Sequence, residues 1–157
     1  MEHVRTHTLQ EFCAWASAFA RARSVQGKGA TVVGLYGQLG AGKTTFTQAA
    51  ARALGVCERV TSPTFVIQKT YPLYEQPFTH LVHIDAYRLG GAHDLGPLLF
   101  EETLRDKKAL VFIEWADRIQ DTLPPQTHHI KLTCVGESGR MIEHENSTYE
   151  KENTAKK

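Results

Sequence analysis

Long apolar runs are missing from this chain. No stretch approaches the ~20 consecutive apolar residues that cross a bilayer. The opening Met1-Glu2-His3-Val4-Arg5 also lacks the apolar core of a secretory signal. The protein is therefore expected to stay in the cytoplasm and off membranes. Cysteine is scarce: Cys13, Cys57 and Cys134 are odd in number and far apart. That excludes a disulfide framework and a zinc knuckle, and suits a reducing compartment. Neither sign of charge dominates, with 18 Lys and Arg against 17 Asp and Glu, a net charge of +1. The basic pairs Lys107-Lys108 and Lys156-Lys157 are short. This balance argues against a large electrostatic nucleic-acid footprint.

What the chain does contain is enough for one domain with a full core: 157 residues, 41% of them apolar. It is organised around a single stretch. Thr31-Val32-Val33-Gly34-Leu35-Tyr36 reads as a buried strand. The next eight residues, Gly37-Gln38-Leu39-Gly40-Ala41-Gly42-Lys43-Thr44, match G-x-x-x-x-G-K-[ST], the phosphate-binding loop, and Thr45 continues it. Residues 45–54 then read as a helix, with Phe46, Ala49, Ala50, Ala53 and Leu54 on one face and Gly55 as its left-handed stop. Strand, glycine-rich turn and helix are the context this motif requires. Its glycines let the backbone close on a polyphosphate, and its N–H groups point at negative charge. Lys43 then supplies a cation to the β- and γ-phosphates, and the Thr44 hydroxyl a ligand for Mg²⁺.

Elsewhere, Thr8-Leu9-Gln10-Glu11 is a capping-box pattern. It opens a helix with a stripe of Leu9, Phe12, Cys13, Ala16, Phe19 and Ala20. Further strands are expected at 65–71, 81–85 and 109–113, a helical segment at 94–105, a short helix at 116–123, and a hairpin from 129–134 and 140–143. The folded domain is expected to span 1–144, followed by a polar, disordered tail at 145–157.

Hydrolysis or transfer also needs acids beside the phosphates. Glu114 follows the apolar Ala109-Leu110-Val111-Phe112-Ile113, where a Walker B acid stands, and is expected to share Mg²⁺ with Thr44. Asp85 ends a second strand, with His83 on the same face. It is read as the acid that orders the attacking water or holds Mg²⁺ through water, and His83 as a packing or hydrogen-bonding residue. Lys43, Asp85 and Glu114 are thus the catalytic candidates. Thr61-Ser62-Pro63-Thr64 offers hydroxyls where a γ-phosphate sensor sits, or is a plain turn. Trp115, beside Glu114, has two readings, a residue that reports on the nucleotide or, slightly preferred, a core residue. Arg88 has two readings, a transition-state cation or, preferred, the partner of a nearby acid. The pairs His80/His83 and His128/His129 fail as metal sites, because each pair points to opposite strand faces.

Four blocks in order carry a family resemblance: Leu35-Tyr36-Gly37-x-Leu39-Gly40-Ala41-Gly42-Lys43-Thr44-Thr45-Phe46, Ser62-Pro63-Thr64-Phe65, His83-x-Asp85-x-Tyr87-Arg88-Leu89, and Ile113-Glu114-Trp115. Together they resemble TsaE, the bacterial ATPase required for threonylcarbamoyladenosine modification of tRNA. Gln38, Ala86 and Ala116 depart from that pattern, where an acid, Leu and Pro are common. The resemblance implies an α/β P-loop NTPase fold of three layers, with a mainly parallel central sheet and added antiparallel strands. It implies Mg-ATP held by residues 37–45, with Thr44 and Glu114 at the metal. It also implies residues 61–64 as a switch, Asp85 as an essential acid, and TsaB and TsaD as partners. ATP turnover would then reset a TsaB–TsaD complex rather than modify tRNA, which the isolated protein is expected to bind weakly.

Three other readings share the phosphate loop. A nucleotide or small-molecule kinase needs an Arg-rich lid, and the arginines are scattered. A GTPase needs an Asn-Lys-x-Asp type loop, but the asparagines are Asn146 and Asn153 alone and no Lys-x-Asp occurs. Glu114 and Asp85 argue against a wholly inactive, non-enzymatic nucleotide-gated adaptor, though slow intrinsic turnover would look similar.

Overall fold

The computed structural model describes residues 1–63 and 66–146. A seven-stranded sheet runs through it in the order β1-β7-β6-β2-β5-β4-β3. The strands are β1 (Glu2–Thr6), β2 (Thr31–Tyr36), β3 (Gln68–Pro72), β4 (His80–Asp85), β5 (Ala109–Glu114), β6 (His128–Val135) and β7 (Gly139–Asn146). The middle four, β6, β2, β5 and β4, pair in parallel. Antiparallel partners flank them: β7 and β1 on one side, β3 on the other. The chain is therefore mixed α/β with a parallel centre, as expected.

Residue type explains the layout. β5 is buried along its whole length, which a continuous apolar run in a central parallel strand demands. Leu81, Leu110 and Phe112 look into a core under α1 (Leu9–Arg21) and α2 (Lys43–Ala53). Val82, Ile84, Val111 and Ile113 look into a second core. That one is completed by 3₁₀ turns at Ala92–Leu98 and Ala116–Thr122 and by Phe100 of α3 (Phe100–Arg105). Thr8 caps α1 as expected, accepting from the Glu11 N–H at 3.1 Å, while the Glu11 carboxylate reaches back to the N–H of His7, one residue before the cap, at 2.7 Å. The α1 stripe buries Phe12, Ala16, Phe19 and Ala20, while Leu9 stays exposed.

Four expectations need correction. The β1 strand is absent from the sequence reading; its five residues are short and polar, and only pairing with β7 makes them a strand. The strand expected at 65–71 begins at Gln68, because Ile67 takes a left-handed φ of 69° that ends extended geometry; Phe65 lies outside the described residues. The helical segment at 94–105 is broken at Leu99, with φ 53°, between a 3₁₀ turn and α3. Glu145 and Asn146 belong to β7 rather than to the tail, held by ladder pairing with His129 and His128. The rest of the tail lies outside the described residues.

Candidate functional site

The register of the parallel strands assembles the site. Asp85 stands opposite Glu114, and Glu114 opposite Leu35, so three strands deliver their carboxyl ends to one place. In parallel sheets of this kind, that end is where ligands bind. The loop leaving β2 turns at Gly37, whose φ is 148°. A Cβ there would lie 2.5 Å from the Leu132 carbonyl oxygen, so only glycine lets the loop pass β6. Gly42 caps α2 without a side chain, and no acid occupies the first turn. The positive end of α2 is left facing the cleft.

A cleft of about 490 Å³ opens there, in the range of ligand sites. Gly40, Gly42, Lys43, Thr44, Thr45, Ser62, Asp85 and Glu114 line it, as does Leu39 at the loop tip. Gly37, Gln38 and Ala41 line a neighbouring cleft on the other side of the loop, with Tyr36, Asp117 and Cys134. Lys43 is buried, and its Nζ donates to the carbonyls of Gly37 at 2.6 Å and Gln38 at 3.0 Å. Burial lowers its pKa, while the nearby acids Glu114, Asp85 and Asp117, together with Cys134, oppose that shift. The ammonium also lies 3.9 Å from the centre of the Trp115 ring.

Glu114 is 3% exposed and engaged on both oxygens. Thr44 Oγ1 donates to Oε2 at 3.0 Å, and His83 Nε2 lies 2.8 Å from Oε1. Asp85 is buried beside it. Its Oδ2 accepts from Ser62 Oγ at 3.0 Å and its Oδ1 from the Tyr87 N–H at 2.9 Å. Ser62 thereby ties the segment at 61–63 to the second acid. Thr61 and Pro63 do not line the cleft, and Thr64 lies outside the described residues.

The family model of the threonylcarbamoyl adenosine biosynthesis protein TsaE matches residues 6–142. The chain belongs to the TsaE family. It is 38% identical over 116 residues to TsaE of Streptomyces coelicolor, covering 72% of this chain and 76% of that one. It is 36% identical over 131 residues to TsaE of Bacillus subtilis, covering 80% and 75%, and 33% identical over 137 residues to TsaE of Treponema pallidum, covering 87% and 95%. These relatives are named as tRNA threonylcarbamoyladenosine biosynthesis proteins. The crystal structure of Bacillus subtilis YdiB superposes with a TM-score of 0.73 at 30% identity, covering 99% of this chain and 91% of that one.

Within this TsaE-family chain, three residues of the cleft go beyond a single sequence reading or escape it. Trp115 serves both of its readings: it is half-buried and packs against the second core, while a left-handed φ of 56° turns it off the end of β5 to line both clefts, 5.0 Å from the Tyr87 ring. Its place directly after Glu114 is the signal behind the nucleotide-reporting reading. Tyr87 lines the cleft from the loop after Asp85. Arg140 comes from β7, donating to the loop carbonyl of Ala41 at 2.8 Å and lining the cleft. No local pattern marks it, because the β6–β7 hairpin reaches the loop only through the pairing of β6 with the distant β2. Arg88 is exposed and does not line the cleft. His80 and His83 part as expected: His80 lies 3.4 Å from Asp106, on the opposite face from the His83–Glu114 pair.

Proposed function

We propose that this chain is a cytoplasmic, magnesium-dependent ATPase of the P-loop NTPase fold. On this reading it serves threonylcarbamoyladenosine formation on tRNA by binding and resetting a TsaB–TsaD complex, without modifying tRNA itself. One observation carries the reading. Below the glycine-rich loop, a buried lysine rests on the loop's own carbonyls, beside a threonine hydroxyl and a carboxylate 3.0 Å apart. That hydroxyl and carboxylate are hard oxygen donors, and they fit Mg²⁺, which prefers oxygen and one or two protein ligands. Thr44 and Glu114 would hold it. When bound, Mg²⁺ supplies charge neutralisation on the β- and γ-phosphate oxygens.

The chain's own groups account for the rest. The loop N–H groups and the α2 N-terminus bind the phosphates. Lys43 exchanges its carbonyl contacts for phosphate oxygens and so stabilises charge that grows on the leaving group. Asp85, oriented by Ser62 and Tyr87, accepts a hydrogen bond from the attacking water and aims its oxygen at the γ-phosphorus. The bond from that phosphorus to the β–γ bridging oxygen breaks, leaving ADP and phosphate. The near-zero charge favours partners over RNA as the route to tRNA. Purified protein alone should show no sub-micromolar tRNA binding at about 150 mM salt.

The test is ATP hydrolysis by the purified chain, alone and with TsaB and TsaD. Slow turnover that rises with both partners is expected. Turnover indifferent to them would refute the resetting role, and none under any condition would refute the ATPase.

A further inference from the structure

Beneath Glu114, at the floor of the cleft, lies a histidine with an unusual hydrogen-bond balance. His83 is 0% exposed, one strand over from Glu114 and two residues before Asp85. Its Nε2 lies 2.8 Å from Glu114 Oε1, while its buried Nδ1 has no hydrogen-bond partner among the described residues. A neutral imidazole carries one N–H and one lone pair. An orphaned buried N–H is rarer than an orphaned acceptor. The proton therefore sits on Nε2 and is donated to Glu114, and the unpartnered atom is the Nδ1 lone pair.

Resting on the metal-dependent reading above, we propose that His83 is a positioning residue that fixes Glu114 for a divalent cation. A neutral donor on Oε1 fixes the rotation of the carboxylate. It turns Oε2 toward Thr44 and the cleft, yet leaves the full negative charge available to a cation. The arrangement follows the common rule that a carboxylate ligand is itself held by hydrogen bonds from behind. It needs the parallel register of β4 on β5, which sets His83 diagonal to Glu114 on the face that looks toward α2.

The experiment compares H83Q and H83N in the full chain. A glutamine amide reaches to the position of Nε2; an asparagine amide reaches only to that of Nδ1. Three quantities are measured: kcat and KM for ATP with the TsaB–TsaD partners present, Mn²⁺ affinity of the complex with a non-hydrolysable ATP analogue by electron paramagnetic resonance, and melting temperature. H83N should lower kcat and weaken Mn²⁺ binding, each by about 10- to 100-fold, with KM within about twofold of wild type. H83Q should recover most of both. Wild-type Mn²⁺ affinity in H83N would overturn the proposal. Equal impairment of H83Q and H83N in step with lost melting temperature would also overturn it, as a packing role. If wild type binds Mn²⁺ and nucleotide but hydrolyses no ATP, the ATPase reading falls and the Mn²⁺ comparison still decides His83. If wild type binds no Mn²⁺ with nucleotide, both fall.

Discussion

Two regions of the chain gather polar and charged side chains, and they do so to opposite ends. At the cleft, Lys43, Thr44, Asp85 and Glu114 pair with one another, with backbone or with Ser62 and His83, yet all four line open space. Across the sheet edge, where α1 meets β6, β7 and β1, Arg23, His128, His144 and Glu2 close on themselves. Arg23 lies 4.3 Å from the centre of the Phe19 ring, with Nη1 3.2 Å from His128. His128 reaches His144 at 3.2 Å, and His144 reaches Glu2 at 3.5 Å. Phe19 meets both imidazoles edge-on, at 5.8 and 5.1 Å. The difference lies in where the remaining hydrogen-bonding capacity points. In the cleft it faces a ligand-sized volume; in the histidine cluster it is consumed by neighbours, so that cluster acts as glue between helix and sheet.

If that contrast holds, changes in the cleft alter turnover and spare stability, and changes in the cluster do the reverse. The largest effect is expected from Lys43→Ala, which should cut ATP turnover by about 100- to 1,000-fold while the melting temperature stays near wild type. A mutant that melts like wild type and hydrolyses ATP normally would remove the phosphate-loop role. Glu114→Ala comes next, with kcat falling by about 100-fold and nucleotide affinity, followed by calorimetry, changing far less. Unaltered turnover at unaltered Mg²⁺ dependence would return Glu114 to a strand-end acid without function.

The third expected effect tests the other region. Burial first, then Arg23, His144 and His129, push the His128 imidazole down from 6.5 to about 4. The unfolded chain takes up that proton near 6.5 and the folded chain only near 4. Stability is therefore whole above about 6.5 and is lost as pH falls toward 4, by about 2 kcal/mol already at pH ~5. Urea unfolding at pH ~7.5 and ~5 measures it, and His128→Leu should flatten the slope. An unchanged slope in that variant would place the acid sensitivity elsewhere. The smallest effect concerns the base. Without a guanine-reading loop, ATP should bind tighter than GTP by only about 1 kcal/mol, roughly fivefold; competition binding that favours GTP would refute this.

Much of the cleft was legible because its signals are local. Gly37 to Thr45 lie on consecutive residues, and Glu114 closes an uninterrupted apolar strand. Trp115 stayed between two readings because a tryptophan after a buried strand ordinarily continues the core, and nothing in the sequence announces a left-handed turn at that residue. Arg140, β1 and the histidine cluster escaped for a shared reason: each depends on a strand pairing between distant parts of the chain, β6 on β2 or β1 on β7.

Sequence alone determined the strand–loop–helix unit and the acids at the ends of β4 and β5, while the parallel centre of the sheet was implied by the family resemblance. The unit and the acids rest on periodicity, steric freedom at glycine and the burial of apolar runs, all of which act over a few residues. Tertiary structure alone decided that His83 stands behind Glu114, that Ser62 holds Asp85, that Arg140 joins the cleft, and that His128 is driven below its ordinary pKa. Those depend on register and burial, which exist only once distant strands have paired and water has been excluded between them.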